Sequence, residues 1–241
     1  MKKSLLIIIA LSMLGVVLVG CDGLKDPRDK KTYKTVKIGG LEWMAENLNY
    51  EMENSYCYEG SPVNCAKYGR LYTWEAALEA CPVGWHLPSK EEFETLLKAV
   101  GESSTAGLKL KSVTDWNEFE PMDVVIFDEN YAFCLSECGT DKNCQDKCTK
   151  EDDNSSDSSE KKESGNGTDA FGFSALPAGQ RTAEGSYKEV GDAAYFWNSS
   201  YDEYDGYTYV CLYNEYEKVE VSQSRRDGEN AYSVRCVKDQ K

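Results

Sequence analysis

Histidine is the scarcest side chain with chemistry in this 241-residue chain: there is one, His86, against ten cysteines and 42 acidic residues. Any catalytic constellation built on imidazole would rest on that one ring. The chain also lacks a Gly-x-Ser-x-Gly nucleophile elbow and a phosphate loop. Paired carboxylates occur throughout so acidic a chain and single out no site. Cations are few, with 27 Lys and Arg giving a formal net charge of −15. That balance argues against nucleic acid and against adsorption to anionic lipid. It leaves cationic partners, divalent cations and uncharged polymers as the chemistries such a surface could meet.

The one extended apolar run is at the start. Lys2 and Lys3 precede Leu5 to Val19, a length that suits the h-region of an export signal better than a full membrane span. It ends in Leu18-Val19-Gly20-Cys21, which resembles a bacterial lipobox. Residues 1–20 are therefore expected to be a lipoprotein signal peptide, and Cys21 the lipidated new N-terminus; a plain transmembrane anchor is the competing reading. Several acyl chains on one cysteine would hold the membrane durably, at about 0.8 kcal/mol per buried methylene. Asp22 to Thr32 is charged and poor in apolar residues, so residues 21–33 are expected to be anchor and tether. Residues 34–241 then suffice for one domain. Loss of residues 1–20 removes two lysines and no acid, which takes the formal charge to −17.

Nine cysteines remain after Cys21, an odd number, so one stays unpaired or pairs between chains. An exported chain favours disulfides. Cys57 and Cys65 flank a Gly/Pro turn that could close a small bridged loop. Cys134, Cys138, Cys144 and Cys148 are spaced C-x3-C-x5-C-x3-C, as nested bridges Cys134–Cys148 and Cys138–Cys144 stapling a helical hairpin would require. A four-thiolate zinc site is the alternative there, although zinc pairs are more often two to four residues apart.

Tyr33 to Ile38 and Leu41 to Met44 have strand character about a Gly39-Gly40 turn. Thr73 is a plausible N-cap for a helix whose Trp74, Ala77, Leu78 and Cys81 share one face. Pro82 and Gly84 turn the chain, and Ser89 to Glu92 reads as a capping box. A second helix carries Phe93, Leu96, Leu97 and Val100 and stops at Gly101. Tyr195-Phe196-Trp197, Tyr207 to Tyr213, Lys218 to Val221 and Tyr232 to Val237 are the later strand candidates.

Six blocks taken in order resemble the Fibrobacter succinogenes major paralogous domain family: Ile38 to Leu48, Tyr68 to Trp74, Cys81 to Glu92, Gly167 to Gly179, Ala194 to Trp197, and Ser233 to Val237. The resemblance implies an exported, often lipid-anchored bacterial domain at the outer membrane or cell surface, without an established activity. The implied fold class is α+β and C-type-lectin-like, similar also to formylglycine-generating enzymes. Two helices would pack on short twisted antiparallel sheets stapled by disulfides. In that fold a cysteine ending an early helix bridges to the last strand, here Cys81 to Cys236, closing a loop of about 155 residues. On the loop-entropy model this restricts the unfolded chain by roughly 4 to 5 kcal/mol. Cys211 is then the odd thiol. His86 falls in the family's Gly-Trp-His-Leu-Pro block, which implies a structural imidazole.

The chain departs from the family pattern in an insertion of about residues 118–164. It holds the strand-like Val124 to Phe127, the four-cysteine hairpin and an acidic, serine-rich run from Glu151 to Ser164 expected to be a disordered loop. Asp152, Asn154, Ser156, Ser158, Glu160 and Glu163 fall on a calcium-loop template, but Asp157 occupies the position that needs Gly. Trp197, Asn198, Asp202, Glu203 and Asp205 are the ligand-binding candidates, an aromatic ring beside carboxylates that could stack on sugar and bond its hydroxyls. Trp197-Asn198 only partly echoes a lectin calcium block and no Glu-Pro-Asn is present. The expected function is a non-catalytic binding or scaffold module, with no catalytic, metal or cofactor residue assigned. Carbohydrate-binding adhesion is a specific form of it. An enzyme on a formylglycine-enzyme-like scaffold, using Cys211 and Cys236 as a copper pair, is the alternative from another class. The expected partners are the membrane, through Cys21, and a polysaccharide or another envelope protein.

Overall fold

In the computed structural model, which describes residues 23–101, 103–120, 162–224 and 227–240, the segment expected to be a tether is folded. Strand β1 (Leu24–Lys25) pairs antiparallel with β2 (Thr32–Tyr33), and Leu24 and Tyr33 are buried in the core. The charge that suggested a tether is satisfied locally. Asp26 is fully buried and accepts hydrogen bonds from the Arg28 backbone N–H at 2.9 Å and from its Nη2 at 2.7 Å. Arg28 Nη2 also donates to the Ala80 carbonyl at 2.7 Å, so the hairpin is tied to the domain. The folded unit therefore starts near residue 24 rather than 34.

The next hairpin follows expectation. β3 (Thr35–Ile38) and β4 (Leu41–Met44) pair about Gly39 and Gly40, whose φ angles of 63° and 82° suit a tight primed turn. After β5 (Ser55–Tyr56), Pro62 opens the short helix α1 (Pro62–Tyr68), where only a bridged turn was expected. Proline fits the first helical position because its missing N–H would have no partner there. The Cys57–Cys65 disulfide joins this helix to the preceding 3-10 turn. Then come β6 (Leu71–Tyr72), α2 (Trp74–Ala80), β7 (Trp85–His86), α3 (Lys90–Val100) and α4 (Ser103–Leu110). The described residues thus hold four helices rather than two. Thr73 caps α2, and Ser89 and Glu92 form both arms of the capping box on α3. The buried face of α3 is Phe93, Leu96 and Val100, as its spacing predicts. On α2 the stripe is rotated: Ala76, Ala77 and Ala80 are buried, whereas Leu78 is exposed. Small residues there let the helix approach the sheet closely.

β8 (Glu118–Phe119) pairs with β9 (Glu163–Ser164), so the two ends of the insertion meet in a short ladder. Glu163 and Ser164 are strand, not disordered loop, and Glu163 is unavailable to a calcium loop with the template's geometry. Val124 to Phe127, the four cysteines Cys134, Cys138, Cys144 and Cys148, and the calcium-template positions before Glu163 lie outside the described residues, as do residues 1–22 with Cys21.

The C-terminal third builds the main sheet from β10 (Ala178–Arg181), β11 (Tyr187–Val190), β12 (Ala193–Asp202), β13 (Gly206–Tyr213) and β14 (Val219–Ser224), in the order β11-β10-β12-β13-β14. All its pairings are antiparallel except the single contact of β10 with β12. A second sheet has the order β3-β4-β15-β7, so β15 (Val237–Lys238), from the chain's end, lies between strands from its first third. Alternation along β12 buries both faces. Phe196 packs with Trp43, Phe93, Leu96 and Phe173 on one side, while Tyr195 and Trp197 pack with Met44, Leu48, Tyr72, Ala77 and Tyr232 on the other. The fold class is α+β.

Two buried cations hold the layers in place. Arg235 is fully buried and donates to Asn47 Oδ1 at 2.7 Å and to the carbonyls of Met44, Phe173 and Ser174. Burial pulls its pKa down to about 9 against the opposing fields of Glu46 and Asp169. Lys111 Nζ donates to the carbonyls of Tyr213, Asn214 and Tyr216 at 3.1 to 3.2 Å, and burial lowers its pKa to about 8.

Candidate functional site

Glu203, Tyr204 and Asp205 join β12 to β13, whose first residue Gly206, at φ 89°, pairs with Asp202. Asp202 Oδ1 accepts the N–H of Tyr204 at 2.7 Å and of Asp205 at 3.0 Å, so this carboxylate shapes the turn. Asp202, Glu203 and Asp205 are exposed at the tip. Trp197 and Asn198 are not beside them in any usable sense, because both are fully buried. The Trp197 ring lies 4.2 Å from Tyr232, and its Nε1–H donates to the Tyr72 carbonyl at 2.7 Å. It is a core anchor and cannot offer a face to a sugar. Asn198 Oδ1 accepts the Ser200 N–H at 2.9 Å, inside a register shift between Trp197 and Tyr201. Trp197 shares its face of the sheet with Tyr209 and Tyr207 but lies deeper along the strand, a burial that sequence proximity to the acidic tip conceals.

The register shift has a second effect. It brings Tyr201 opposite Tyr207, and directly opposed residues share a face of the sheet. Their rings stand 5.1 Å apart, and Trp74 from the start of α2 contacts both, at 6.0 Å from Tyr201 and 5.0 Å from Tyr207. Trp74 is held by its Nε1–H, which donates to the Asn198 carbonyl at 2.9 Å. Tyr207 is backed by Gly228: a β-carbon there would come within 2.4 Å of its ring, so only glycine permits that packing. The three rings continue a buried aromatic ladder formed by Tyr195, Tyr209, Trp197 and Tyr232. At the open end Tyr201 is 54% exposed and Tyr204 76%.

Tyr207 also forms one wall of a cleft of about 400 Å³, with Asn54, Thr73, Glu75, Arg181 and Glu229 on the others. Arg181 is held with its guanidinium carbon 4.1 Å above the Tyr56 ring. The cleft thus has hydrogen-bond donors and acceptors of both charges beside an apolar lip, the composition of a site for a polyhydroxylated ligand. Sequence reading found the acidic tip but missed Trp74, Tyr201, Tyr207 and Arg181.

The remaining candidates are structural. Cys81 and Cys236 are bridged, with α-carbons 5.9 Å apart. Cys236 is therefore not half of a thiol pair with Cys211, which is buried and free. Burial raises the Cys211 thiol pKa. His86 Nδ1 lies 2.8 Å from Asp239 Oδ1, and Nε2 lies 3.0 Å from both carboxylate oxygens of Glu92. Burial would lower the imidazole pKa, but the two carboxylate hydrogen bonds outweigh it and raise the value. This ring joins α3 to the end of the chain and does not face the cleft's walls. Among the described residues, no three His, Cys, Asp or Glu side chains are grouped to hold a metal ion.

The family model described as Fibrobacter succinogenes major domain matches residues 36–238. The chain belongs to that family. The match to this Fibrobacter succinogenes major domain takes in the Cys57–Cys65 and Cys81–Cys236 disulfides, Lys111, Arg235 and the cleft. No curated protein and no solved structure matches the chain.

Proposed function

We propose that this protein is a lipid-anchored module of the bacterial envelope that binds an uncharged polysaccharide without transforming it. The carrying observation is the ring cluster of Trp74, Tyr201 and Tyr207, of which Tyr207 also lines a polar cleft. Tyr201 is the exposed ring of the three, with Trp74 and Tyr207 half-buried behind it, and aromatic side chains beside a few convergent polar groups are what small-ligand sites are built from. The surrounding carboxylates disfavour an acidic polymer and leave neutral sugar hydroxyls as suitable partners. The lipobox at Cys21 supports attachment to the membrane, at the outer membrane or cell surface. The fold is read as C-type-lectin-like, a reading supported by the cystine from the end of α2 to the strand region at the chain's end.

The test is retention of the protein on insoluble envelope and plant-wall polysaccharides. Wild type should be retained, and the double variant Tyr201→Ala/Tyr207→Ala should bind at least tenfold more weakly. Tyr201→Ala alone should leave the melting temperature nearly unchanged, since that ring is half exposed. Absence of retention on every polymer, or equal retention of the double variant, would remove the sugar-binding reading and leave a scaffold role.

A further inference from the structure

We infer that the N-terminal hairpin is a docking face for a bilayer surface bearing anionic phospholipid headgroups, so that the domain sits on its membrane. The inference rests on the proposed acylation of Cys21. Two residues separate Cys21 from Leu24, the first residue of the folded hairpin. Three Cα–Cα steps span at most about 11 Å, so the anchor leaves the hairpin no room to stand clear of the headgroups. The Debye length at physiological ionic strength is about 8 Å, which makes charge on this hairpin count.

That charge is opposite to the rest of the molecule. Residues 24–34 contain Lys25, Arg28, Lys30, Lys31 and Lys34 against Asp26 and Asp29, whereas residues 35–241 carry 39 acids against 20 cations. The strongly negative total conceals this local reversal. Arg28 is used internally: it neutralises buried Asp26 and holds Ala80. Lys25, Lys30, Lys31 and Lys34 are exposed; Lys31 also pairs with Asp29 at 3.3 Å and donates to the Asn49 carbonyl, and Lys30 donates to the Pro27 carbonyl. A lipid chain combined with a basic patch is a recognised two-signal mode of membrane attachment. The hairpin is fastened to the C-terminal end of α2 through Ala80, while Trp74 and the aromatic cleft lie at that helix's N-terminal end. Docking by the hairpin therefore leaves the cleft at the other end of the element that joins them.

The test uses the mature acylated protein in nanodiscs of phosphatidylcholine alone or with one-third phosphatidylglycerol, read by amine labelling and mass spectrometry. Lys25, Lys30, Lys31 and Lys34 should label at least fivefold more slowly on the anionic discs, with Lys98 and Lys188 unchanged and the protection fading in 0.5 M salt. Lys25→Glu/Lys30→Glu should abolish the protection of Lys31. Equal labelling on the two discs would overturn the docked face while leaving the anchor intact. An N-terminal peptide of unacylated mass would overturn the anchor, and this inference with it.

Discussion

A histidine between two carboxylates makes stability depend on pH in a direction that can be worked out. His86 has a folded-state pKa above its unfolded value of about 6.5. Its contribution is therefore fully present below that value and is lost as pH rises through the folded pKa. Urea midpoints of wild type should fall from pH 6 to pH 8.5 relative to those of His86→Gln, in which the ring contacts to Glu92 and Asp239 are gone. Parallel pH profiles for the two proteins would refute the role assigned to this side chain. Polysaccharide retention per folded molecule should be the same in both, because the ring lies away from the cleft. Arg235 works differently. It is surrounded by carbonyls and by the faces of Phe173 and Phe196 at 4.7 and 5.5 Å, so its charge is distributed over dipoles and rings rather than met by a carboxylate.

At the scale of elements, β1 and β2 show how a charged segment can belong to a core. Tyr33 is 4% exposed, and its hydroxyl accepts the Asn49 N–H at 3.1 Å. Burial raises its pKa to about 12. Tyr33→Ala should cost about 3 kcal/mol by large-to-small truncation, measured by chemical denaturation; a change within error of zero would restore the tether. Elements with strong local signals were legible in the sequence. The Gly39-Gly40 hairpin, the capped α3 and the stop at Gly101 depend on residues within one turn of one another. The hairpin of residues 24–33 was not legible, because Asp26 reads as solvated until Arg28 is seen to enclose it. The burial of Trp197 and the pairing of Tyr201 with Tyr207 were hidden for a related reason. A register shift of β12 against β13 depends on the partner strand, and no local pattern announces it. The α2 stripe was misplaced because three alanines carry a weaker hydrophobic signal than the leucine beside them.

For the molecule as a whole, Cys81–Cys236 spans 155 residues and Cys57–Cys65 spans 8. Loop-closure entropy assigns about 5 kcal/mol to the first and about 2.5 kcal/mol to the second. The pair Cys81→Ala/Cys236→Ala should therefore lower stability by roughly twice as much as Cys57→Ala/Cys65→Ala, as read from denaturant curves of the oxidised proteins. The opposite order would show that the long bridge closes a part of the chain already constrained when unfolded. Both pairs lie outside the aromatic cleft, so binding per folded molecule should survive either loss.

The position of β15 also dictates when the protein can fold. Val237 pairs with Trp43 on one side and His86 on the other, and the Met44 and Leu48 N–H groups donate to Cys236 and Val234. The first third of the polypeptide cannot complete its sheet until the last few residues have left the ribosome. A chain still lacking those residues keeps this sheet open for nearly the whole of its synthesis, and tertiary closure and the Cys81–Cys236 bridge both fall after the chain is complete. Cys57 and Cys65 can meet early because so few residues part them, which removes the nearest upstream thiols from competition for Cys81 before Cys236 arrives.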